Sequence, residues 1–273
     1  MNHNALPLLL QPETFAEQPA HDDVLLVIVA QAQVFNAGHI PGSVLVEPAE
    51  LVSGDKPAVG SLPSEEKLSA VFSRIGLNSN SHVVVYDDEG GGWAGRFIWT
   101  LDVIGHPRYS YLDGGLVAWK RLGLPLTAEP DLAQRSEFRA QIDRSCAADK
   151  ADVLASIDDE QTLIWDARAP EEFAGKKVTA LRNGHVPGAV NINWVDLMDH
   201  DNDLRLLPLP QLTHKLAAKG LTKASHIITH CQTHHRSGLT YLVGKLLDLP
   251  IRAYDGSWSE WGNDPTTPVS TGQ

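Results

Sequence analysis

Apolar residues along this chain fall into two kinds of run, and the two kinds alternate. Val83-Val84-Val85-Tyr86 and Leu163-Ile164-Trp165 are short and continuous, with the β-branched and aromatic content of buried strands. Ala189-Val190-Asn191-Ile192, led in by Gly188, and His226-Ile227-Ile228-Thr229 read the same way. Between these runs apolar positions recur at helical intervals. Leu212 to Leu221 has that spacing and meets a stop at Gly220. Leu239, Leu242, Val243, Leu246 and Leu247 predict a helix from about Ser237 to Leu249. Strands alternating with helices favour an α/β fold, a mostly parallel sheet flanked by helices.

The pattern also repeats. Gly38-His39-Ile40-Pro41-Gly42-Ser43 recurs as Gly184-His185-Val186-Pro187-Gly188-Ala189. Asp113-Gly114-Gly115, followed by Trp119, recurs as Asp255-Gly256-Ser257, followed by Trp258 and Trp261. A period this long means duplicated domains rather than a solenoid. The stretch from Thr127 to Ser136, with Pro130 and mixed charges, reads as the linker. The expected division is therefore 1–126, a linker at 127–136, and 137–273. Both halves carry the Gly-His-x-Pro-Gly segment and only one has a cysteine beside its matching strand. We read that segment as structural, a tight turn tied down by its histidine.

Composition narrows the classes. A length of 273 residues suits two cores of ordinary size, and 42% hydrophobic with 21% charged residues is that of an ordinary soluble protein. A net charge of -12 argues against a nucleic-acid partner. Any anion site must then be a local positive pocket in a negative protein. No apolar run reaches membrane-span length, and the apolar patch Leu6 to Leu10 lacks the basic leader of a signal peptide. Cys146 and Cys231 alone make no disulfide framework, so a reducing, cytoplasmic setting is expected.

The candidate chemistry lies in His230-Cys231-Gln232-Thr233-His234-His235-Arg236-Ser237-Gly238, between a predicted strand and a predicted helix. A loop leaving the C-terminal end of a parallel strand opens on a crevice, and the following helix N-terminus favours negative charge. A thiol placed there ionises more readily than a free one. Arg236, His234 and His235 add positive charge or donors. The expectation is a catalytic Cys231 thiolate facing an anion cradle built by Gln232, Thr233, His234, His235, Arg236 and Ser237. A zinc site is the rival, since His230, Cys231, His234 and His235 are all ligand types. No second ligand pair stands at metal spacing and Arg236 would repel a cation, so neither metal nor cofactor is expected. Cys146, in Arg144-Ser145-Cys146-Ala147, carries no comparable signal.

These features together resemble the rhodanese family of thiosulfate sulfurtransferases, in its tandem-domain bacterial form. The resemblance covers nearly the whole chain and rests on the Gly-His-x-Pro-Gly anchors, the Asp-Gly-Gly/Ser anchors and the Cys-x4-Arg-Ser loop. It implies two rhodanese-like domains, the first catalytically silent. Aligning Val83–Tyr86 with Ile227–His230 puts Asp87 where Cys231 stands, and a carboxylate cannot accept sulfane sulfur. Gly90-Gly91-Gly92 then replaces the His-His-Arg set, without the lysine or spacing of a P-loop. The implied activity moves sulfane sulfur from thiosulfate, through a Cys231 persulfide, to cyanide or a thiol. A persulfide-carrying relay protein with a protein partner is an alternative. Cdc25-like phosphatases share the fold but carry one more residue between Cys and Arg. Asp166-Ala167-Arg168 matches the family's structural Asp-x-Arg, where the first half has Ile28-Val29-Ala30. Two positions depart from the mammalian pattern: Glu172 and Thr233 stand where basic residues are expected.

Overall fold

Residues 6–18, 23–130 and 134–272 are described by a computed structural model. Residues 131–133 of the expected linker and Met1–Ala5, ahead of the apolar patch, lie outside them. The chain forms two units. One gathers the chain up to Leu51, then Pro63–Ile142 and Asp199–Leu206; the other gathers Val52–Leu62, Asp143–Met198 and the chain from Leu207 onward.

Unit 1 runs β1 (Leu9–Leu10), α1 (Pro12–Ala16), β2 (Val24–Val29), α2 (Ala32–Ala37), β3 (Val44–Val46), α3 (Glu65–Arg74), β4 (His82–Tyr86), α4 (Gly92–Val103), β5 (Tyr109–Leu112) and α5 (Gly115–Arg121). Unit 2 repeats the series as β6 (Ala147–Ala148), α6 (Lys150–Ser156), β7 (Thr162–Asp166), α7 (Pro170–Phe173) and β8 (Val190–Asn191). After a two-stranded ribbon, β9 (Met198–Asp199) and β10 (Arg205–Leu206), it continues with α8 (Leu209–Ala217), β11 (His226–His230), α9 (Arg236–Leu246), β12 (Ile251–Tyr254) and α10 (Ser257–Trp261). The sheets have the orders β1-β5-β4-β2-β3 and β6-β12-β11-β7-β8. Every neighbouring pair is parallel. Element for element the two orders are the same.

The central strands show why. β4 reads His-Val-Val-Val-Tyr and is buried at every position, without the alternation of a half-exposed strand. Both faces are covered, as in parallel sheets wrapped by helices. In unit 1 Leu26, Ile28, Val84, Tyr86 and Leu112 share a core cluster with Leu116 and Trp119 of α5. In unit 2 Ile164, Ile228 and Tyr254 share one with Val153 of α6 and Trp258 and Trp261 of α10. Each fully buried aliphatic side chain contributes roughly 1.5–3 kcal/mol.

The repeated turns are tied as expected. Nδ1 of His39 bonds the carbonyl of Phe35 at 2.8 Å, and Nδ1 of His185 that of Phe173 at 2.8 Å. Each imidazole stacks on the ring of the phenylalanine it bonds, at 3.6 Å and 3.7 Å.

Beyond the linker the chain stays with unit 1 for a few residues. Alternate amides donate to α3: Ser136 to the Ser73 carbonyl, Phe138 to Ser73 Oγ, Ala140 to Ser69 Oγ and Ile142 to Glu65 Oε1. Each repeat also sends an arm into the other's unit. Leu62, at the end of one arm, donates its amide to Asp255 at 2.8 Å. Leu206, at the end of the other, donates to Asp113 at 2.8 Å. Asp113 and Asp255 are the matching residues of the Asp-Gly anchors.

Candidate active site

β11 ends at His230 and α9 begins at Arg236, so Cys231 is the first residue off a central strand and the loop delivers it to a helix N-terminus. The first turn of α10 holds the loop. Trp258 donates its amide to the Cys231 carbonyl at 3.0 Å, and Ser259 to that of Gln232 at 2.9 Å. Cys231 in turn points its amide at the Ser257 hydroxyl, 3.4 Å away. Ser257 holds φ +54°, a left-handed conformation that costs a non-glycine residue about 1–2 kcal/mol. His234, also at φ +54°, turns the loop back, and its Nδ1 meets Ser237 Oγ at 2.7 Å.

The structure brings the seven expected residues together in this one loop, with different tasks. The Ser237 hydroxyl and amide both hydrogen-bond the Cys231 sulfur. Gln232 turns away and donates to the Thr179 carbonyl at 3.0 Å. The His235 ring lies 5.6 Å from Trp194. The Thr233 carbonyl is packed against Gly60 of the Val52–Leu62 arm, where a Cβ would approach to 2.1 Å.

Cys231 has no exposed surface. The sequence predicts a thiol opening on a crevice; here the thiol is buried. Burial pushes the thiol pKa up. The Arg236 charge, the two Ser237 hydrogen bonds and the charge of His235 outweigh it, so the thiol ionises below the ordinary range. His230 donates from Nδ1 to the Cys231 carbonyl, 3.1 Å away, and burial lowers its pKa, favouring the neutral ring.

One ion pair of this site joins residues far apart in sequence, where neither spacing nor periodicity could reveal it. Arg236 donates from Nη1 and Nη2 to the two Glu172 oxygens at 2.6 and 2.9 Å. Glu172 is 3% exposed, and its carboxyl, pushed up by burial, is brought below its ordinary value by Arg236. Arg168 forks onto Asp166, donates to the Gly184 carbonyl at 2.7 Å and lies over the Trp258 indole at 4.2 Å. That is the structural role expected of the Asp-x-Arg motif.

Unit 1 holds the same backbone with another filling. Leu116 donates to the Asp87 carbonyl at 2.8 Å, as Trp258 does to Cys231, and Gly115 takes the left-handed place of Ser257. The amides of Glu89, Gly90, Gly91 and Ala94 all point at the Asp87 carboxylate, between 2.9 and 3.2 Å. The cradle is filled by the protein's own anion. Burial, with the nearby Glu89 charge, pushes this carboxyl up to about 6.

Among the described residues no three His, Cys, Asp or Glu side chains converge as metal ligands would, and no helix is long and apolar enough to cross a membrane.

Comparison with known proteins adds the following. The model of the rhodanese-like domain matches twice, at residues 11–122 and 149–264. A thiosulfate sulfurtransferase of Azotobacter vinelandii is 43% identical over 266 residues, covering 97% of both chains. One of Pseudomonas aeruginosa is 43% identical over 265 residues, again covering 97% of both. Among solved structures, EanB in complex with ergothioneine superposes with a TM-score of 0.86 at 20% identity, over 97% of this chain and 70% of that one, a likeness of fold.

Proposed function

The chain belongs to the rhodanese-like family, and from that premise we propose that it is a thiosulfate sulfurtransferase working through a persulfide on Cys231. The observation that carries this reading is the place of the Cys231 sulfur, first off β11 and at the head of α9, where its pKa is drawn below the ordinary thiol value. The sulfur is met by the Ser237 hydroxyl and amide, with the Arg236 charge beside it.

In the first half-reaction the Cys231 thiolate attacks the outer sulfur of thiosulfate. The S–S bond of the donor breaks, sulfite leaves with its electron pair, and Cys231 keeps the sulfur as a persulfide anion. Charge balances without a proton transfer, so no general base is required. In the second half-reaction cyanide or a thiolate attacks the outer sulfur and Cys231 leaves as a thiolate. The Ser237 amide and hydroxyl beside the sulfur would supply preorganised donors to the persulfide. Since Cys231 is covered, donor entry includes a displacement of the covering residues. Unit 1, with Asp87 in place of the thiol, has no sulfur-accepting group at that position. Two cysteines, both free, suit a reducing compartment such as the cytoplasm.

The test is the intact mass after thiosulfate treatment. We expect a gain of one sulfur atom that cyanide removes, and no gain in Cys231→Ser, whose unfolding curve should match the parent's. A Cys231→Ser protein that still forms thiocyanate would overturn the assignment.

One observation favours a second reading, relay of the persulfide to a protein. The connection from the turn phenylalanine to its histidine spans four residues in unit 1 and twelve in unit 2. The longer one carries Lys176 and Lys177 and shows Val178 and Leu181 to solvent, 73% and 83% exposed. Its Thr179 carbonyl is the one held by Gln232.

A further inference from the structure

Arg236 is the cation nearest the thiol in sequence and in charge effect, yet its guanidinium fork is already occupied. Glu172 takes Nη1 and Nη2 with both oxygens, at 2.6 and 2.9 Å. The pair lies out of water: the Arg236 side chain is 19% exposed and that of Glu172 4%. A third contact, from the Ala169 amide to Glu172 Oε2 at 3.3 Å, ties the carboxylate to the first turn of α7. The other buried cation of this region, Arg168, is likewise forked onto its own carboxylate, Asp166. The two arginines of this region are therefore each paired with a carboxylate, and an arriving dianion must compete with Glu172 for Arg236.

We propose that Glu172 is a specificity-determining residue: through its fork on Arg236 it sets how strongly the site holds a donor according to the donor's negative charge. Glu172 touches neither sulfur nor donor in this scheme. It acts by lending or withholding the positive charge of Arg236. The helix N-terminus and loop amides remain for the donor, and they favour an anion without demanding two charges. The inference rests on the sulfurtransferase reading.

The experiment compares two donors that offer the same sulfane sulfur with different charge: thiosulfate, a dianion, and methanethiosulfonate, a monoanion. Each is run with the parent, Glu172→Gln and Glu172→Asp under steady-state conditions. Gln removes the charge at constant size; Asp keeps it. We expect Glu172→Gln to lower the thiosulfate KM on the order of tenfold (about 1.4 kcal/mol) and the methanethiosulfonate KM by roughly the square root of that factor, because the field acts on one charge instead of two. Glu172→Asp should stay near the parent, and kcat should move less than KM in each case. A thiosulfate KM that rises in Glu172→Gln, or one that shifts equally for both donors, overturns the proposal and leaves Glu172 as a purely structural support. Thiosulfate-dependent mass gain of the parent is recorded in parallel. If the parent gains no sulfur, the activity reading fails; if it does and the charge dependence is absent, only this inference fails.

Discussion

Ser257 shares with His234 the left-handed backbone of the site, each at φ +54°. Its matching residue in unit 1 is Gly115, for which a left-handed φ is free of penalty. Ser257→Gly should relieve about 1 kcal/mol of backbone strain. It also removes the hydroxyl that bonds the Tyr254 carbonyl at 2.8 Å and meets the Cys231 amide, a loss of about the same size. Thermal unfolding should therefore be nearly unchanged while turnover falls about tenfold, the scale of a small misplacement close to the chemistry. A large drop in melting temperature, or unaltered turnover, would refute that division of roles. The contrast with Cys231 shows what the sequence makes legible at this scale. The thiol, its arginine and its serine are local and declare themselves by spacing. The Glu172 fork joins residues 64 apart, and the Ser257 conformation depends on a strand and a helix meeting; neither leaves a mark in the local pattern.

At the scale of elements, the central strands and the two longer helices of the second half are legible in the apolar pattern. The helix expected from about Ser237 to Leu249 is α9, Arg236–Leu246. The one expected at Leu212 to Leu221 begins three residues earlier, with Pro210 in its first turn, and ends at Ala217; a separate 3-10 turn follows at Leu221–Lys223. The two-residue strands β1 and β6 are too short to show a period. The longer connection after α7 was equally silent, since an insertion shows only when the two turns are superposed. It is firmly seated: Arg182 donates to the carbonyls of Trp261, Asp264 and Thr267, and Leu181 donates its amide to Asn263 at 3.0 Å. Anchored backbone with outward aliphatics suits a docking edge. The double substitution Val178→Ser with Leu181→Ser should leave cyanide turnover unchanged. It should raise the KM for a dithiol protein acceptor of the thioredoxin kind by about tenfold or more. Equal behaviour with both acceptors would count against relay to a protein.

The stability of the molecule answers to pH through a histidine of unit 1. His82, the first residue of β4, bonds Ser110 Oγ at 2.8 Å. Burial, and after it the Arg108 charge, lowers its pKa from 6.5 to about 4. In the unfolded chain it takes up a proton near 6.5, and in the folded chain only near 4. Its contribution to stability is therefore complete above the higher value and is lost as pH falls through that window. Melting temperature should drop more steeply across it for the parent than for His82→Gln. Parallel curves for the two would exclude His82 as the source.

The crossed arms bear on why a half without a thiol is still there. Residues 52–62 belong by sequence to the first repeat and by position to the unit that holds Cys231. Gly60 lies on the Thr233 carbonyl and Leu62 caps Asp255. A gene shortened to its reactive half would lose that brace, and the discarded half would miss the strand pair that caps Asp113. The duplication thus works as a splint: an arm of each copy completes the fold around the Asp-Gly anchor of the other, whether or not that copy performs a reaction.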